Sequence, residues 1–415
     1  MSMADATQAR LGHAQSRALL VAVVGLAACA GAGLAWPGAL FPAYLAAYLF
    51  WTGIALGCSS LLMLHNLTGG VWGLLIRRPL EAGALTIVPM AVLFVPIALG
   101  LQVLYPWARP EVIAEHPAVQ KSGYLTPNAF LIRAGVSFAI WIALASLLHR
   151  GAIRRDDGGR GGLDEPRGAK GDSTRSPWLA RISGPGLGVL FLTGSFAAID
   201  WAMSLEPEWY STIYGAMMIV GWGLLTFATM TLITAMLAQA DGSVAGVATP
   251  SRFQDLGNLM LAFVMLWAYL SFSQFLIIWS GNLVEEIPWY LRRLRGGWQY
   301  VALVLIAFHF FAPFFALLFR DTKRKMGLLM VVAAAIIVMH LVDLTWMVLP
   351  ASAEPLGSGS QIRLGQVLLV PVAAAGLGGA WAWAFLWNLR RRPLVPDELA
   401  AMPTDPHASH GDHHG

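Results

Sequence analysis

The fold of this protein is decided by residues 18–76, which read ALLVAVVGLAACAGAGLAWPGALFPAYLAAYLFWTGIALGCSSLLMLHNLTGGVWGLLI. These 59 residues contain no Asp, Glu, Lys or Arg. A stretch of this length without charge cannot form the surface of a water-soluble domain. It can cross a bilayer twice, since one spanning helix needs about 20 apolar residues. The sequence therefore predicts a polytopic membrane protein.

The composition of the whole chain supports this prediction. Of the 415 residues, 57% are hydrophobic and only 12% are charged, about half the charge of a soluble chain. The net charge of +4 arises from basic residues between apolar runs, where membrane orientation explains them better than nucleic-acid binding. The only cysteines, Cys29 and Cys58, lie in apolar runs, which excludes an iron–sulfur cluster or a CxxCH haem attachment within this chain. We expect no metal and no redox cofactor here, so any redox centre must come from a partner.

Apolar windows bounded by charges, Pro and Gly predict ten transmembrane helices and thus an all-α membrane protein. Short connections favour two four-helix bundles, formed by spans 2–5 and 6–9, with spans 1 and 10 at the periphery. The predicted spans cover residues 17–36, 41–64, 85–105, 128–149, 186–204, 212–239, 254–280, 298–320, 325–349 and 364–389.

The basic residues predict the topology. One set of loops holds 20 of the 27 Lys and Arg residues and the opposite set holds six, so both termini are expected to be cytoplasmic. Residues 1–16 then form a cytoplasmic segment, 17–149 the first four spans and 186–390 the other six. Residues 150–185, rich in Gly, Arg and Asp, predict a mobile basic cytoplasmic loop, and residues 391–415 a disordered cytoplasmic tail. The tail has four histidines: His407, His410, His413 and His414. They could bind a stray metal ion, although a solvated tail is the simpler interpretation.

Charged residues within the spans are functional candidates, because an ionisable group in hydrocarbon costs several kcal/mol unless it is paired or wetted. Arg133 in span 4 and Asp200 in span 5 lie at matching depths near the outer face, so we predict an ion pair. The pair is either a structural bridge or part of a quinone-head or proton-binding site. The following stretch, WAMSLEPEWY, is typical of an aromatic belt, which leaves Glu206 and Glu208 solvated.

A longer series of titratable groups lies in the second half. His309 falls near mid-membrane in span 8, while His340 and Asp343 share one face of span 9 in its outer half. Glu285 and Glu286, at the outer end of span 7, extend the series toward the outer solvent. Such a series is what a proton pathway needs. The alternative is that the histidines are neutral packing residues.

Two further groups stand near the membrane surfaces. His65 ends span 2 near the cytoplasmic interface, where it either admits protons or caps the helix. Arg292, Arg293 and Arg295 lie in an outer loop, where positive charge is disfavoured. We expect their charge to be compensated by the two nearby glutamates or by an acidic partner, and we predict a partner-docking loop.

Three classes of function were compared. A di-haem cytochrome needs paired axial histidines, usually two on one span, whereas spans 2, 8 and 9 supply one each; His309 with His340 could hold one haem at most. A secondary transporter or permease would have broken helices and inverted repeats around a midplane polar site, but no substrate-sized polar cluster is evident. The third class is a cofactor-free membrane subunit of a redox complex, which handles quinone or protons while its partners carry electrons.

Four strings resemble the quinone-binding membrane subunits of bacterial alternative complex III, a quinol:cytochrome c oxidoreductase. They are LMLHNLTGGVWGLLIRRPLEAG (62–83), DWAMSLEPEWYSTIYG (200–215), SFSQFLIIWSGNLVEEIPWYLRR (271–293) and HFFAPFFALLFRDTKRK (309–325). The resemblance covers most of the chain from span 2 to span 9. Membrane subunits of that complex are similar to the NrfD/polysulfide-reductase anchor family.

The resemblance implies a subunit of a respiratory complex in the bacterial cytoplasmic membrane, with no catalytic residue and no activity of its own. Its implied partners are a sister NrfD-like membrane subunit, an iron–sulfur subunit and c-type cytochrome subunits, which carry the iron–sulfur clusters and haems. A terminal oxidase and lipid are further candidate partners, and quinone or menaquinone is a compatible ligand. Five candidate residues lie within the resembling strings: His65, Asp200, Glu285, Glu286 and His309. The other three rest on depth alone: Arg133, His340 and Asp343.

Overall fold

The computed structural model describes residues 3–115, 123–161, 177–352 and 361–402. Within these ranges every regular element is a helix, which confirms the all-α class. In the described part of the chain, ten helical segments are long and apolar enough to cross a membrane. They are spans 1 to 10 in chain order: Ala6–Ala35, Pro37–Thr68, Val71–Leu99, Pro127–Asp156, Pro177–Leu205, Tyr214–Ala240, Pro250–Gly281, Trp298–Leu318, Met326–Ser352 and Leu364–Leu389. Among the described residues, the short helices outside the spans are Leu101–Leu104, Pro106–Ala108, Pro110–Glu115, Gly242–Val247, Ile287–Arg293, Arg320–Arg324 and Asp397–Ala400.

Local chemistry explains several helix starts. Four spans begin on proline, at Pro37, Pro127, Pro177 and Pro250, where its missing N–H costs nothing and its fixed φ suits the first turn. Before span 7, the Thr249 hydroxyl accepts a hydrogen bond from the Arg252 N–H, as an N-cap does.

Span 3 departs most from its predicted bounds. It begins at Val71 rather than at residue 85, and it is built from consecutive short helices, Val71–Ala84, Ile87–Leu93 and Val95–Leu99. Proline within the later pieces removes hydrogen-bond donors, which explains the segmentation. The predicted start was wrong because the apolar windows used to predict spans ended at charged residues. In the structure, Arg77 and Arg78 lie buried inside the first piece.

These two arginines belong to a seven-residue ion cluster at the start of span 3. Its members are Arg77, Arg78, Glu81, Arg155, Asp156, Arg392 and Glu398. The Arg78 guanidinium donates to Glu81 Oε2 at 2.8 Å and to Asp156 Oδ2 at 2.7 Å, and Arg77 Nη2 donates to Glu398 Oε2 at 2.7 Å. Carboxylates from distant parts of the sequence thus compensate the buried positive charge.

The helices of spans 4 and 5 extend into both ends of the predicted basic loop, residues 150–185. The helix of span 4 continues to Gly161 and that of span 5 begins at Pro177, so residues 150–161 and 177–185 are helical instead of forming a mobile loop. Arg155 and Asp156 find ion-pair partners there. The rest of the predicted loop, residues 162–176, lies outside the described residues.

The predicted terminal segments are corrected in part. The helix of span 1 runs from Met3, so most of the predicted N-terminal segment 1–16 continues that helix. In the predicted tail, Arg392 and Glu398 join the ion cluster, which fixes residues 391–402 against spans 3 and 4. Residues 403–415, including the four tail histidines, lie outside the described residues.

Spans 2 and 6 form the centre of the molecule. Span 2 contacts spans 3, 4, 5, 6, 9 and 10, and spans 1 and 10 pack closely along each other. At the crossing of spans 2 and 6, Gly53 faces the Trp222 ring and Gly57 faces Thr226, with no room for a Cβ atom. Small residues let two membrane helices approach closely. The grouping into two four-helix bundles stays a prediction.

Candidate functional site

A cavity of about 740 Å³ lies between spans 6, 7, 8 and 9 and the short helix Ile287–Arg293. Its walls are almost entirely apolar, with aromatic and methionine side chains from all of these elements. Three of the wall residues, Tyr269, Phe272 and Ile306, are at least half exposed on the outside of the helical bundle. The cavity therefore borders the surface that faces hydrocarbon.

The buried end of the cavity carries the polar groups. His340 and Asp343 line it, and the His309 ring lies 5.7 Å from the His340 ring, measured between centroids. His340 Nδ1 is 3.8 Å from Asp343 Oδ2, and all three side chains are buried. The structure thus brings together the three residues of the second half that were placed in one series by depth. Their role in proton transfer stays a prediction.

Local backbone geometry positions His309. The segment Leu305–Phe311 of span 8 is a π-helix between two α-helical pieces. Pro313 follows and has no N–H for the His309 carbonyl four residues earlier, which disturbs the α-helical ladder at this point. Single π-helical turns are frequent at functional sites because they redirect side chains. The sequence HFFAP carried this signal, which the sequence analysis missed.

Trp267 on span 7 is a further site residue that the sequence analysis missed. Its indole Nε1 donates a hydrogen bond to Asp343 Oδ2 at 3.2 Å, and its ring meets the His309 ring edge-on at 4.4 Å between centroids. It therefore contacts two of the three polar residues. Nothing in the sequence separates Trp267 from the other sixteen tryptophans, because the hydrogen bond depends on how spans 7 and 9 pack.

The predicted ion pair between spans 4 and 5 is confirmed. Arg133 Nε donates to Asp200 Oδ2 at 2.8 Å and Nη2 donates to Asp200 Oδ1 at 3.0 Å. The Arg133 guanidinium also lies 3.8 Å from the centre of the Tyr124 ring. Tyr124 precedes span 4, and its burial, followed by the negative charge of Asp200, raises its pKa to about 12. The phenol therefore stays protonated beside the carboxylate.

The ion pair and the histidine cluster flank span 2 at similar depth. Trp201, next to Asp200, packs on Tyr48 at 5.9 Å between ring centroids, and His340 packs on Phe50 at 6.4 Å. Tyr48 and Phe50 are two residues apart, which separates them by about 3 Å along the axis and turns them to different faces. Span 2 thus stands between two polar sites.

Other predicted members of the proton series lie apart from the cluster. His65 is fifteen residues beyond Phe50 on span 2, about 22 Å along the helix. Its Nε2 lies 3.0 Å from the carbonyl oxygen of Gly70, in the link between spans 2 and 3. Glu285 is exposed and Glu286 partly exposed between span 7 and the next helix.

The arginines of the outer loop are paired differently from the expectation. Glu206 is buried, not solvated, and it accepts hydrogen bonds from Arg292 Nη1 at 3.0 Å and Arg293 Nη1 at 2.7 Å. Arg293 is buried, and its guanidinium stacks 3.7 Å from the Trp289 ring centre. The compensating charge for both arginines therefore comes from Glu206, which is distant in sequence. Arg295 is exposed, and its docking role stays a prediction.

Comparison with known proteins identifies no family. No protein-family model matches this sequence, and neither does any curated protein.

Proposed function

We propose that this chain is an integral membrane subunit of a quinol:cytochrome c oxidoreductase, or of a quinol oxidoreductase with another electron acceptor. The cavity between spans 6 to 9 takes the quinone. The observation that carries the proposal is an apolar cavity of about 740 Å³ that borders the lipid-facing surface and ends on His340 and Asp343, with the His309 ring 5.7 Å from the His340 ring. Pockets for small organic molecules have this size and this mainly apolar lining with few polar groups.

The chemistry of a quinol fits the two ends of the cavity. Its isoprenoid tail is apolar and enters from the bilayer, beside Tyr269 and Phe272. Its hydroxyl groups give up protons when its electrons leave, and His340 and Asp343 are the groups placed to accept them. Glu285 and Glu286 pass protons to the outer solvent, and His65 serves the opposite side.

Electron transfer belongs to partner subunits in this proposal, because the two cysteines cannot hold a redox cluster. The partners are a sister NrfD-like subunit, an iron–sulfur subunit and c-type cytochromes.

The architecture proposed for the chain is the pair of four-helix bundles, spans 2–5 and 6–9, in the bacterial cytoplasmic membrane with both termini inside. Each of spans 2 to 5 contacts others in that group, as does each of spans 6 to 9 in its own, and the clustering of basic residues on one side supports the proposed orientation.

Arg133 and Asp200, in the first group of spans, have a structural role in this proposal and take no part in quinone binding. This pair lies at the same depth as the histidine cluster, across span 2. We assign it a structural role that holds spans 4 and 5 together, because both carboxylate oxygens are already engaged by the guanidinium.

Labelling with a photoreactive azidoquinone tests the proposal on the complex purified in mild detergent. We expect the label on spans 7 and 8 at the cavity. Ala268→Phe, which fills the cavity, should abolish labelling and quinol turnover. Asp343→Asn should keep the label and lower turnover by at least about 100-fold, the lower end of the usual contribution of a positioned proton acceptor. Ser271→Ala is the matched control, since it alters the same wall without changing charge, and it should leave both measurements unchanged.

Copurification separates this proposal from the transporter alternative. A redox subunit should retain haem c and iron–sulfur subunits through purification. A chain that purifies alone, without colour, and whose cavity takes no azidoquinone would contradict the proposal and favour a permease with a midplane polar site.

A further inference from the structure

The cluster at the buried end of the cavity has the composition of a metal site. His309, His340 and Asp343 offer ligand atoms that all lie within 4.8 Å of one another. In the part of the chain that the structure describes, no other group of three or more His, Cys, Asp or Glu residues is placed in this way. All three side chains are at least nine-tenths buried, at 0%, 2% and 6% exposure.

The imidazole nitrogens have no hydrogen-bond partner among the described residues. This holds for Nδ1 and Nε2 of both His309 and His340. Burying a polar atom without a partner costs about 1–3 kcal/mol, and native proteins rarely leave several such atoms together. A neutral imidazole has one nitrogen lone pair available, so two adjacent histidines can direct two lone pairs at one point.

Two imidazoles and one carboxylate are a ligand set for a first-row divalent ion, zinc in particular. Zinc takes His nitrogen and Asp oxygen at about 2.0–2.2 Å, which places tetrahedral ligand atoms about 3.3 Å apart. His340 Nδ1 and Asp343 Oδ2 are already 3.8 Å apart. One ligand atom from each of the three side chains lies within 4.8 Å of the other two, so tetrahedral binding requires them to draw together by at most about 1.5 Å. The carboxylate also reduces the charge of the buried ion from +2 to +1.

Surrounding residues support such a site. Trp267 donates its indole N–H to Asp343 Oδ2, which orients the carboxylate, and the second lone pair of this oxygen stays available to a metal ion. Hydrogen bonds of this type to the ligands of a metal are a regular part of metal sites. The π-helix Leu305–Phe311 turns His309 toward span 9.

We propose that His309, His340 and Asp343 bind one divalent transition-metal ion of the zinc type, with a fourth coordination position open to the cavity. Three protein ligands and an open position characterise zinc sites that act on a bound molecule, whereas structural sites are closed by four. The sequence analysis predicted no metal, because the ligands lie on two spans and only the packing of these spans brings them together. The proposal does not depend on the redox role, since the ligand set is the same in a transporter. A bound ion engages the lone pairs of His340 and Asp343, so the metal-bound form and the proton-accepting form are alternative states of one site.

Zinc binding to the purified full-length chain in mild detergent tests the proposal. The tail histidines, His407, His410, His413 and His414, would bind zinc on their own. Serine therefore replaces all four in the reference protein and in every variant. After equilibration with zinc and removal of free ion, elemental analysis should give about one zinc per chain. His309→Gln, His340→Gln and Asp343→Asn should each weaken zinc affinity at least about 100-fold, since loss of a ligand exceeds the 10–100-fold effect of an outer residue. His65→Gln removes a buried histidine elsewhere and should retain the ion.

Cobalt supplies a second readout. Co²⁺ in the same site should show the intense visible bands of a four-coordinate ion, and these should vanish in His309→Gln. Trp267→Phe keeps an aromatic ring but removes the donor to Asp343, so it should weaken the affinity by about tenfold without abolishing it. This variant remains informative if a ligand substitution prevents folding.

The outcome that overturns the proposal is a tail-substituted chain that retains no zinc, or one whose zinc content is unchanged by the three ligand substitutions. This result is distinct from failure of the proposed function. A chain that binds zinc but no azidoquinone keeps the metal site and loses the redox role. A chain that takes azidoquinone but no zinc does the reverse.

Discussion

Arg133 and Asp200 form a two-point ion pair across spans 4 and 5, with N–O distances of 2.8 and 3.0 Å. The Asp200 side chain is 3% exposed, and that of Arg133 is 23% exposed. Paired in this way, the carboxylate avoids most of the cost of lying uncompensated within the bilayer. The pair thus ties the two spans together near the predicted outer face.

Breaking this pair should destabilise the protein more than removing it. We expect Asp200→Asn or Arg133→Gln to lower the free energy of unfolding by about 2–4 kcal/mol, because each leaves one buried group without its partner. The double variant Arg133→Met with Asp200→Leu should lose less than the sum of the single changes. Unfolding in detergent micelles, followed by circular dichroism, measures the coupling. Additive effects would show that the two side chains do not interact.

A second prediction concerns Glu398 and pH. Burial would raise the pKa of Glu398, but the hydrogen bond from Arg77 and the charges of Arg77 and Arg155 outweigh it and lower the pKa below the ordinary value of 4.5. A lowered pKa in the folded state stabilises the protein above pH 4.5, and this contribution is lost as the pH falls through the folded-state pKa. The wild type should therefore exceed Glu398→Gln in stability near neutral pH and converge with it in acid.

The thermal midpoints of both proteins between pH 3 and 7 measure this effect, which should reach about 1 kcal/mol at neutral pH. Glu208→Gln, which removes an exposed carboxylate, serves as the control and should give a constant, small difference. A gap between wild type and Glu398→Gln that widens on acidification would contradict the assignment.

The crossing of spans 2 and 6 supplies a third prediction. Gly57 leaves no space for a Cβ atom because Thr226 stands against it. Gly57→Val should destabilise the protein by about 2–3 kcal/mol through overpacking. Gly188 is also inside a helix, but a Cβ atom there would meet nothing within 4 Å, so Gly188→Val is the control. The yield of monodisperse protein and the thermal midpoint distinguish the two; equal loss in both variants would indicate a helix-propensity effect only.

Predictions from sequence succeeded where hydrophobic length or depth alone decided the outcome. Span 10 was predicted at residues 364–389, the bounds that the structure has. The pairing of Arg133 with Asp200 followed from counting residues inward along two antiparallel helices. Both depend only on the helical rise and the thickness of a bilayer.

Predictions failed where a charge is compensated by a residue distant in sequence. Arg78 was expected in the connection between predicted spans 2 and 3, yet Asp156 and Glu81 allow it to lie inside a helix. Glu206 appeared solvated, yet it is buried with Arg293. A search for apolar segments along the sequence treats each charged residue separately. Whether a charged side chain can be buried depends on its ion-pair partner, which only the tertiary packing brings near. The contact of Trp267 with Asp343 escaped prediction for the same reason.

A fourth prediction tests the chemistry of Arg293. Its guanidinium donates to Glu206 and to the Met347 carbonyl oxygen while stacking on Trp289. A lysine cannot make these planar contacts together. Arg293→Lys should therefore lower the free energy of unfolding by about 2 kcal/mol or more, since it breaks a buried charge network, although the net charge is unchanged. Chemical denaturation in micelles measures the loss, and wild-type stability in this variant would show that charge alone suffices.

The last prediction separates partner docking from stability in the outer loop. Arg292 and Arg293 are both engaged by Glu206, so removing all three arginines would confound folding with docking. Arg295 is exposed, and Arg295→Glu reverses its charge without disturbing that network. If an acidic partner binds this loop, the substitution should reduce the fraction of partner subunits retained on purification, most strongly at low salt, where charge interactions are least screened. The free energy of unfolding of the isolated chain should stay within about 0.5 kcal/mol of wild type, as for most surface changes. Full retention of partners at every ionic strength would remove Arg295 from the docking surface and leave the basic loop with a structural role only.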